Sequence, residues 1–140
     1  MQSFTPESRA FLMQNAHTGK LATVRADGRP HVVPVWFELD GDTIIFTTGE
    51  TSVKARNMRH DARVSLCVDD ESPPFSYIQV EGTAALSEDM EALKYWAKKI
   101  GGRYMGEALA EQYGRRNAVP GELLVRITPT RITFACNIAD

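Results

Sequence analysis

Apolar and polar residues alternate over short stretches of this chain, which is the pattern of half-buried β-strands. Residues 21–25 and 31–37 are two such stretches, and they flank Ala26-Asp27-Gly28-Arg29. An Asp-Gly pair between strand-like segments favours a tight hairpin turn, because glycine readily accepts a positive φ. A second turn at residues 40–42 leads into the apolar stretch 43–48. The pattern therefore predicts three consecutive antiparallel strands.

Further strands are predicted in the second half of the chain. Residues 64–68 alternate in character, and the polar segment 69–74, which contains proline, is predicted to be a loop. Residues 77–84 form another strand, in which the small residues Gly82 and Ala84 indicate a bend or the close approach of a neighbouring backbone. The last two predicted strands cover residues 123–128 and 131–137, separated at Thr128-Pro129-Thr130.

Helical spacing and capping residues predict helices at residues 5–15, 52–59, 88–100 and 107–113. Thr5 is a suitable N-cap, and Pro6 fits the first helical position. The third helix carries an apolar stripe for the core, and Gly101-Gly102 is expected to end it. The stripe consists of Met90, Leu93, Trp96, Ala97 and Ile100.

Six or seven short antiparallel strands with inserted helices predict a mainly β protein with helices (α+β), built as a small barrel. A chain of 140 residues suits one hydrophobic core, so we expect a single domain over residues 1–140. No Gly-x-Gly-x-x-Gly motif follows a predicted strand, since Gly101 to Gly106 follows a helix and has other spacing. The sequence therefore excludes dinucleotide binding by a Rossmann turn.

Net charge and cysteine content limit which binding partners and which cellular compartment are expected. The formal net charge is −2, which provides no general attraction to nucleic acid or to anionic membranes. Cys67 and Cys136 are far apart and lack metal-binding spacing, which favours a reducing, cytoplasmic environment. No basic segment followed by an apolar stretch marks a signal peptide, and no apolar run is long enough to span a bilayer. We therefore expect a soluble cytoplasmic protein.

Catalytic sets made of side chains alone are not evident. The chain has no Gly-x-Ser-x-Gly motif, and His17, His31 and His60 are scattered without metal-binding spacing. His17 and His60 are expected to be surface or hydrogen-bonded residues, whereas the position of His31 beside Pro30 leaves its role open.

The segment 47–59 is the unusual local feature. A hydroxyl-rich strand end runs into a helix N-terminus, where free N–H groups and cationic side chains converge in a way that suits a phosphate. An ordinary serine cap on a solvated helix face explains the same residues equally well. The polar residues concerned are Thr47, Thr48, Ser52, Lys54, Arg56, Asn57 and Arg59.

The order of these features is specific. Residues 19–37 precede Thr47-Thr48 and the pattern Ser52-x-Lys54-x-x-Asn57, and the segment 77–82 follows them. Together they resemble the pyridoxamine 5'-phosphate oxidase-like flavin-binding split-barrel superfamily, and within it the branch of deazaflavin (coenzyme F420)-dependent reductases. The resemblance covers roughly residues 10–85 well and the remainder in outline.

This resemblance implies a six-stranded antiparallel split barrel that forms a homodimer with cofactor sites at the interface. It implies that Lys54 and Asn57 hold the phosphate and ribityl chain, and that Tyr77 reaches the site of the other subunit. Thr47, Thr48 and Ser52 would assist at the phosphate, Val33, Pro34, Val35 and Trp36 would line the ring, and Arg56, with Lys54 and Arg59, would meet an anionic cofactor tail. Arg115 and Arg116 are also candidates for the tail.

The resemblance also implies an activity. Residues 31–37 lack the Arg and Lys with which flavin mononucleotide (FMN) oxidases of the superfamily hold the phosphate, which favours coenzyme F420 over FMN. We expect hydride transfer from the reduced deazaflavin to a quinone, a conjugated carbonyl or a tetrapyrrole. The alternatives are an FMN-dependent oxidase or reductase, and a non-catalytic flavin or haem carrier or sensor.

Overall fold

A computed structural model describes residues 2–140 of the chain, and seven strands and four α-helices are assigned there. The strands are β1 (Gly19–Val24), β2 (Pro30–Val35), β3 (Glu38–Asp40), β4 (Thr43–Gly49), β5 (Arg63–Asp70), β6 (Ser76–Ser87) and β7 (Glu122–Ala135). The helices are α1 (Pro6–Met13), α2 (Val53–His60), α3 (Met90–Met105) and α4 (Ala110–Asn117), with 3₁₀ turns at Gln14–Ala16 and Glu107–Leu109.

The strands form one antiparallel sheet in the order β2-β1-β5-β6-β7-β4-β3. The predicted hairpin is confirmed, since β1 pairs with β2 around Gly28, which has a φ of 90°. The six-stranded barrel is corrected to seven strands in an open sheet. The additional strand is β3, because the chain leaves β2 at Val35 and pairs again with β4 from Glu38.

The connection between β2 and β3 determines how the sheet bends. Trp36 and Phe37 join these two strands, which are the edges of the sheet. In a flat seven-stranded sheet the edges would lie about 29 Å apart, given a spacing of about 4.8 Å between neighbours. The step from Val35 to Glu38 spans at most about 11 Å of extended chain. The sheet must therefore curl, bringing its edges together without pairing them.

The two strands predicted at the C-terminal end are one long strand, β7. It pairs with β6 on both sides of Pro129, and the register shifts between Glu81 and Gly82. A Cβ at Gly82 would lie only 2.6 Å from the carbonyl oxygen of Thr128, so glycine is needed for the close approach. The predicted close backbone approach at Gly82 is confirmed, but the strand predicted to end at Thr128 is continuous, because the bulge accommodates Pro129.

Helix α3 extends to Met105, so the predicted end at Gly101-Gly102 is wrong. These glycines instead allow α4 to pack closely. A Cβ at Gly101 would lie 2.7 Å from the Cβ of Tyr113, and one at Gly102 would lie 3.3 Å from the Cβ of Ala110. The helix ends at Gly106, whose φ of 96° is unfavourable for residues with a side chain.

Two groups of buried apolar side chains form the core. The larger group joins the sheet to α1 and α2 and includes Phe11, Leu12 and Met58. The smaller group joins α3 to β4 and β7 and consists of Ile45, Leu93, Trp96, Ile100 and Leu124. Because β4 contributes Ile45 to one group and its neighbours Ile44 and Phe46 to the other, both faces of this strand are covered.

Candidate functional site

A cleft with a volume of about 300 Å³ lies between β2, α2 and the beginning of β7. We call it the Lys54 cleft. It brings together five residues that the sequence predicted for the cofactor site, and it adds three that were not predicted for that site. The first five are Pro34, Val35, Trp36, Thr47 and Lys54, and the other three are Ile100, Asn117 and Glu122.

Strand register brings the polar side of this cleft together. Gly49, the last residue of β4, is paired with Glu122, the first residue of β7. The turn that follows is anchored because the Glu50 amide donates to the Gly121 carbonyl at 2.8 Å. Helix α2 then begins directly beside the start of β7. Lys54, in the first turn of the helix, and Glu122 therefore face the same space.

Two opposite charges are held in the Lys54 cleft, and both are half-buried. Burial lowers the pKa of Lys54, an effect that the negative charge of Glu122 opposes. Burial raises the pKa of Glu122, while Lys54 and the Thr47 hydroxyl act in the other direction. Each group therefore loses hydration but gains partial compensation from the other. Sequence reasoning missed Glu122, because the pairing of β4 with β7 joins segments distant in the chain.

Thr48 and Ser52 serve the helix cap rather than the cleft. The Ser52 hydroxyl accepts a hydrogen bond from the Ala55 amide at 3.1 Å, as predicted for an N-cap. The hydroxyls of Thr48 and Ser52 lie 2.9 Å apart, and Thr48 is buried. Their direct effect is to fix where α2 begins, and thereby to position Lys54.

Arg56 and Asn57 lie on the other side of the α2 N-terminus. They line a second cleft of about 360 Å³ together with Arg25 and Arg29 of the β1–β2 turn. We call it the Arg56 cleft. Asn57 is buried, and its amide donates to the Thr23 hydroxyl at 3.0 Å, which ties α2 to β1. The segment predicted as one phosphate site thus divides between two clefts.

Val33 and Tyr77 line neither cleft. Val33 is half-buried on β2 opposite Leu21, and Tyr77 is half-buried at the start of β6 between Asp69 and Ala135. A larger depression of about 690 Å³ lies over β1, β5 and β6, and it contains none of the predicted site residues.

The aromatic wall of the Lys54 cleft is fixed from behind by α3. The rings of Trp36 and Tyr104 are parallel, with an interplanar angle of 2° and centroids 5.0 Å apart. The Tyr104 hydroxyl accepts from the Phe37 amide at 3.1 Å and donates to the His17 carbonyl at 2.8 Å. Arg103 donates to the Phe37 carbonyl at 2.6 Å. Phe37, in the short connection between the sheet edges, is therefore held at both its backbone N–H and its backbone C=O.

The histidines are placed apart from one another. His17 stacks on Phe11 with centroids 5.7 Å apart, His60 is exposed at the end of α2, and His31 is half-buried on β2. Within residues 2–140, no group of three or more His, Cys, Asp or Glu side chains is arranged to hold a metal ion.

Comparison with known proteins agrees with this architecture. The sequence profile of the pyridoxamine 5'-phosphate oxidase family matches residues 4–136. The chain belongs to this family. No helix in residues 2–140 has both the length and the apolar character that crossing a membrane requires.

The chain is similar to two curated proteins and one solved structure that are named as reductases, and two of these three names include F420. An F420H(2)-dependent biliverdin reductase of Mycobacterium tuberculosis is 32% identical over 98 residues, which are 70% of each chain. A 5a,11a-dehydrotetracycline/5a,11a-dehydrooxytetracycline reductase of Streptomyces rimosus is 42% identical over 71 residues, 48% of this chain and 49% of the relative. The solved structure of an F420 reductase superposes with a TM-score of 0.71 and 29% identity, covering 92% of this chain and 98% of the other.

Tyr104→Phe should destabilise the protein while keeping the aromatic stack. The substitution leaves the Phe37 amide and the His17 carbonyl without their partner, which costs about 1–3 kcal/mol for buried groups. Urea unfolding of the variant would measure this loss. Tyr95→Phe is the matched control, because Tyr95 lies on the same helix and is 55% exposed. Equal stability of the two variants would contradict the role assigned to the Tyr104 hydroxyl.

Proposed function

We propose that this protein is a coenzyme F420-dependent reductase. The observation that carries the proposal is the Lys54 cleft, in which a half-buried cation and the Trp36 ring line one cavity. Such a cavity suits a ligand with an aromatic ring at one end and an anionic group at the other. The relatives named for F420 support the same assignment.

The residues of the cleft fit a deazaflavin by their chemistry. Pro34, Val35 and Trp36 offer an apolar wall for the ring, and Lys54, beside Thr47, offers donors to the phosphate and ribityl chain. Thr48, Ser52 and Asn57 set the position of α2 and hence of Lys54. Bound deazaflavin supplies the hydride, which explains why the chain carries no evident catalytic triad. The protein would bind and orient the cofactor, and it would exclude water from the site.

The cationic side chains of the two clefts favour coenzyme F420 over FMN. The strand β2 contains neither Arg nor Lys, so Lys54 is the cation that the Lys54 cleft offers to a phosphate. The anionic tail of F420 would continue past the α2 N-terminus into the Arg56 cleft, where Arg25 and Arg29 also lie. FMN lacks this tail and would leave those arginines unused. FMN remains the second candidate because the family is named for an FMN-type oxidase.

The substrate would be a small electron-poor acceptor that stacks over the ring. Conjugated carbonyls, quinones and tetrapyrroles meet this requirement, and two relatives are named for reductions of biliverdin and of a dehydrotetracycline. Such an acceptor would have to lie flat against the ring during hydride transfer, and the reduced acceptor would then take up a proton from solvent. A cleft bounded by Trp36 and Pro34 supports that arrangement.

The site would be completed by a second copy of the chain. At about 300 Å³ the Lys54 cleft is at the lower limit of the roughly 300–1,000 Å³ typical of ligand pockets. Next to it, β2 is an edge strand that presents Val32 at 64% exposure. A homodimer would cover this apolar edge and enclose the ring, with Tyr77 contributed by the partner.

Coenzyme F420 should bind more tightly than FMN, because only F420 can use the Arg56 cleft. Fluorescence titration of the purified protein with each cofactor measures the order. Turnover is then followed as oxidation of the reduced cofactor, with biliverdin and a simple quinone as acceptors. Tighter binding of FMN would make the protein an FMN enzyme, and binding without turnover would make it a carrier.

Lys54→Ala should weaken cofactor binding by about 10- to 100-fold, since a charge-assisted bond to phosphate from a half-buried group is worth about 1.5–3 kcal/mol. Folding should change little, because alanine is a good helix former. The exposed residue Lys94 on α3 provides the control variant Lys94→Ala. Unchanged affinity in Lys54→Ala would indicate a merely solvated helix face.

Mixed dimers test whether Tyr77 completes the partner's site. Lys54→Ala and Tyr77→Ala homodimers should each be impaired. Their heterodimer should contain one site with both defects and one with neither, and should therefore recover part of the activity. Sedimentation must first establish that heterodimers form. A fully loaded monomer, or no recovery in verified heterodimers, would rule out the shared site.

A further inference from the structure

Glu122 is the charged residue of the Lys54 cleft that the proposed function does not use. We propose that Glu122 is a specificity-determining residue, whose carboxylate opposes phosphate at Lys54 so that a phosphate-bearing cofactor binds there with uptake of a proton. This inference rests on the proposed function, because it takes the Lys54 cleft as the place of the cofactor phosphate.

The geometry gives the cleft an internal counter-ion. Glu122 is fixed at the first position of β7 by pairing with Gly49, and Lys54 is fixed by the start of α2. The two charges influence each other, yet among the described residues no ion pair of 4.0 Å or less joins them. A phosphate that approaches Lys54 therefore does not have to displace a formed ion pair.

Among residues 2–140, no other charged side chain lines the cleft. Thr47 faces it from β4, Ile100 from α3 and Asn117 from α4, and β2 contributes apolar residues. Another acid, Glu50, lies beside Gly121 and does not line the cleft. The formal charge of the lining is thus zero when both Lys54 and Glu122 are ionised. A neutral ligand is accepted without electrostatic cost, whereas a phosphate meets one cation and one anion.

Protonation of Glu122 changes that balance. Burial already raises the pKa of Glu122, so the protonated form is more accessible here than at a surface. A phosphate beside it adds negative charge and raises this pKa further. Lowering the pH therefore increases the fraction of protein in which Lys54 is charged and Glu122 is neutral. Affinity for a phosphate-bearing ligand should consequently rise as the pH falls.

A competing role for Glu122 predicts the opposite result. If the carboxylate accepted a hydrogen bond from a ribityl hydroxyl or a ring N–H, its charge would strengthen binding of every flavin. Removing the charge would then weaken FMN and riboflavin alike. FMN and riboflavin differ only in the phosphate, so their affinity ratio isolates the interaction with that group.

The experiment compares Glu122→Gln with the wild type by isothermal titration of FMN and riboflavin between pH 6 and pH 8. Glutamine keeps the size and the polar contact with Thr47. At pH 8 the variant should bind FMN about tenfold more tightly, as expected for removal of one nearby like charge. Riboflavin affinity should change less than about twofold. Glu50→Gln is the control, because Glu50 is near Glu122 but outside the cleft.

Proton uptake provides the second measurement. Titrations in buffers of different ionisation enthalpy should show that the wild type takes up protons when it binds FMN. This proton uptake should be smaller in Glu122→Gln. The phosphate of FMN titrates in the same range and would be coupled to Glu122, so the difference in proton uptake between the two proteins at equal pH belongs to the pair of groups. Equal FMN affinity, or equal proton uptake, in both proteins would overturn the role proposed for Glu122 but would leave the proposed function intact. If neither protein binds FMN, riboflavin or F420, both the proposed function and the role of Glu122 are wrong.

Discussion

The two residues Trp36 and Phe37 connect opposite edges of the sheet, and the rest of the architecture depends on this short step. A chain segment this short cannot cross a flat seven-stranded sheet, so the sheet curls. In the described part of the chain, residues 2–140, no strand pairing joins β2 to β3, which leaves β2 as an edge strand. The Lys54 cleft opens beside the end of β2. Its aromatic wall is thus part of the connection that imposes the curvature.

Helix α3 holds that connection in place through hydrogen bonds. Arg103 and Tyr104 bind the backbone of Phe37, and Arg103 also donates to the Leu12 carbonyl at 2.8 Å. These contacts require α3 to continue beyond Gly101-Gly102. The close packing of α4 against the two glycines therefore has a consequence at the cleft. The turn of α3 that follows the two glycines carries Arg103, which binds Phe37, and Tyr104, which stacks on Trp36.

The α2 N-terminus divides the polar chemistry between two clefts of different charge. The Lys54 cleft combines one cation and one anion, whereas the Arg56 cleft has three arginines and Asp27. Two adjacent residues, Val53 and Lys54, point to opposite sides of this helix start. A ligand with a ring, a phosphate and an extended anionic tail could use both clefts.

The sequence by itself determined the local features of this protein. Asp27-Gly28 specified the hairpin, Ser52 specified the start of α2, and the order of motifs around Lys54 indicated the family, which the comparison confirms. Each depends on residues close together in the chain, where turn and capping chemistry act. They also sufficed to select Pro34, Val35, Trp36, Thr47 and Lys54, which the structure brings into one cleft.

Tertiary structure decided the features that depend on distant partners. Gly101-Gly102 would end an isolated helix, but α4 packs against it, and Pro129 would interrupt a strand, but the bulge opposite Gly82 accommodates it. Asn57 matched a cofactor motif, yet its amide binds Thr23. Glu122 showed no local signal at all. Its meeting with Lys54 arises from the register of β4 with β7, and such a pairing is set by packing of the whole sheet rather than by neighbouring residues.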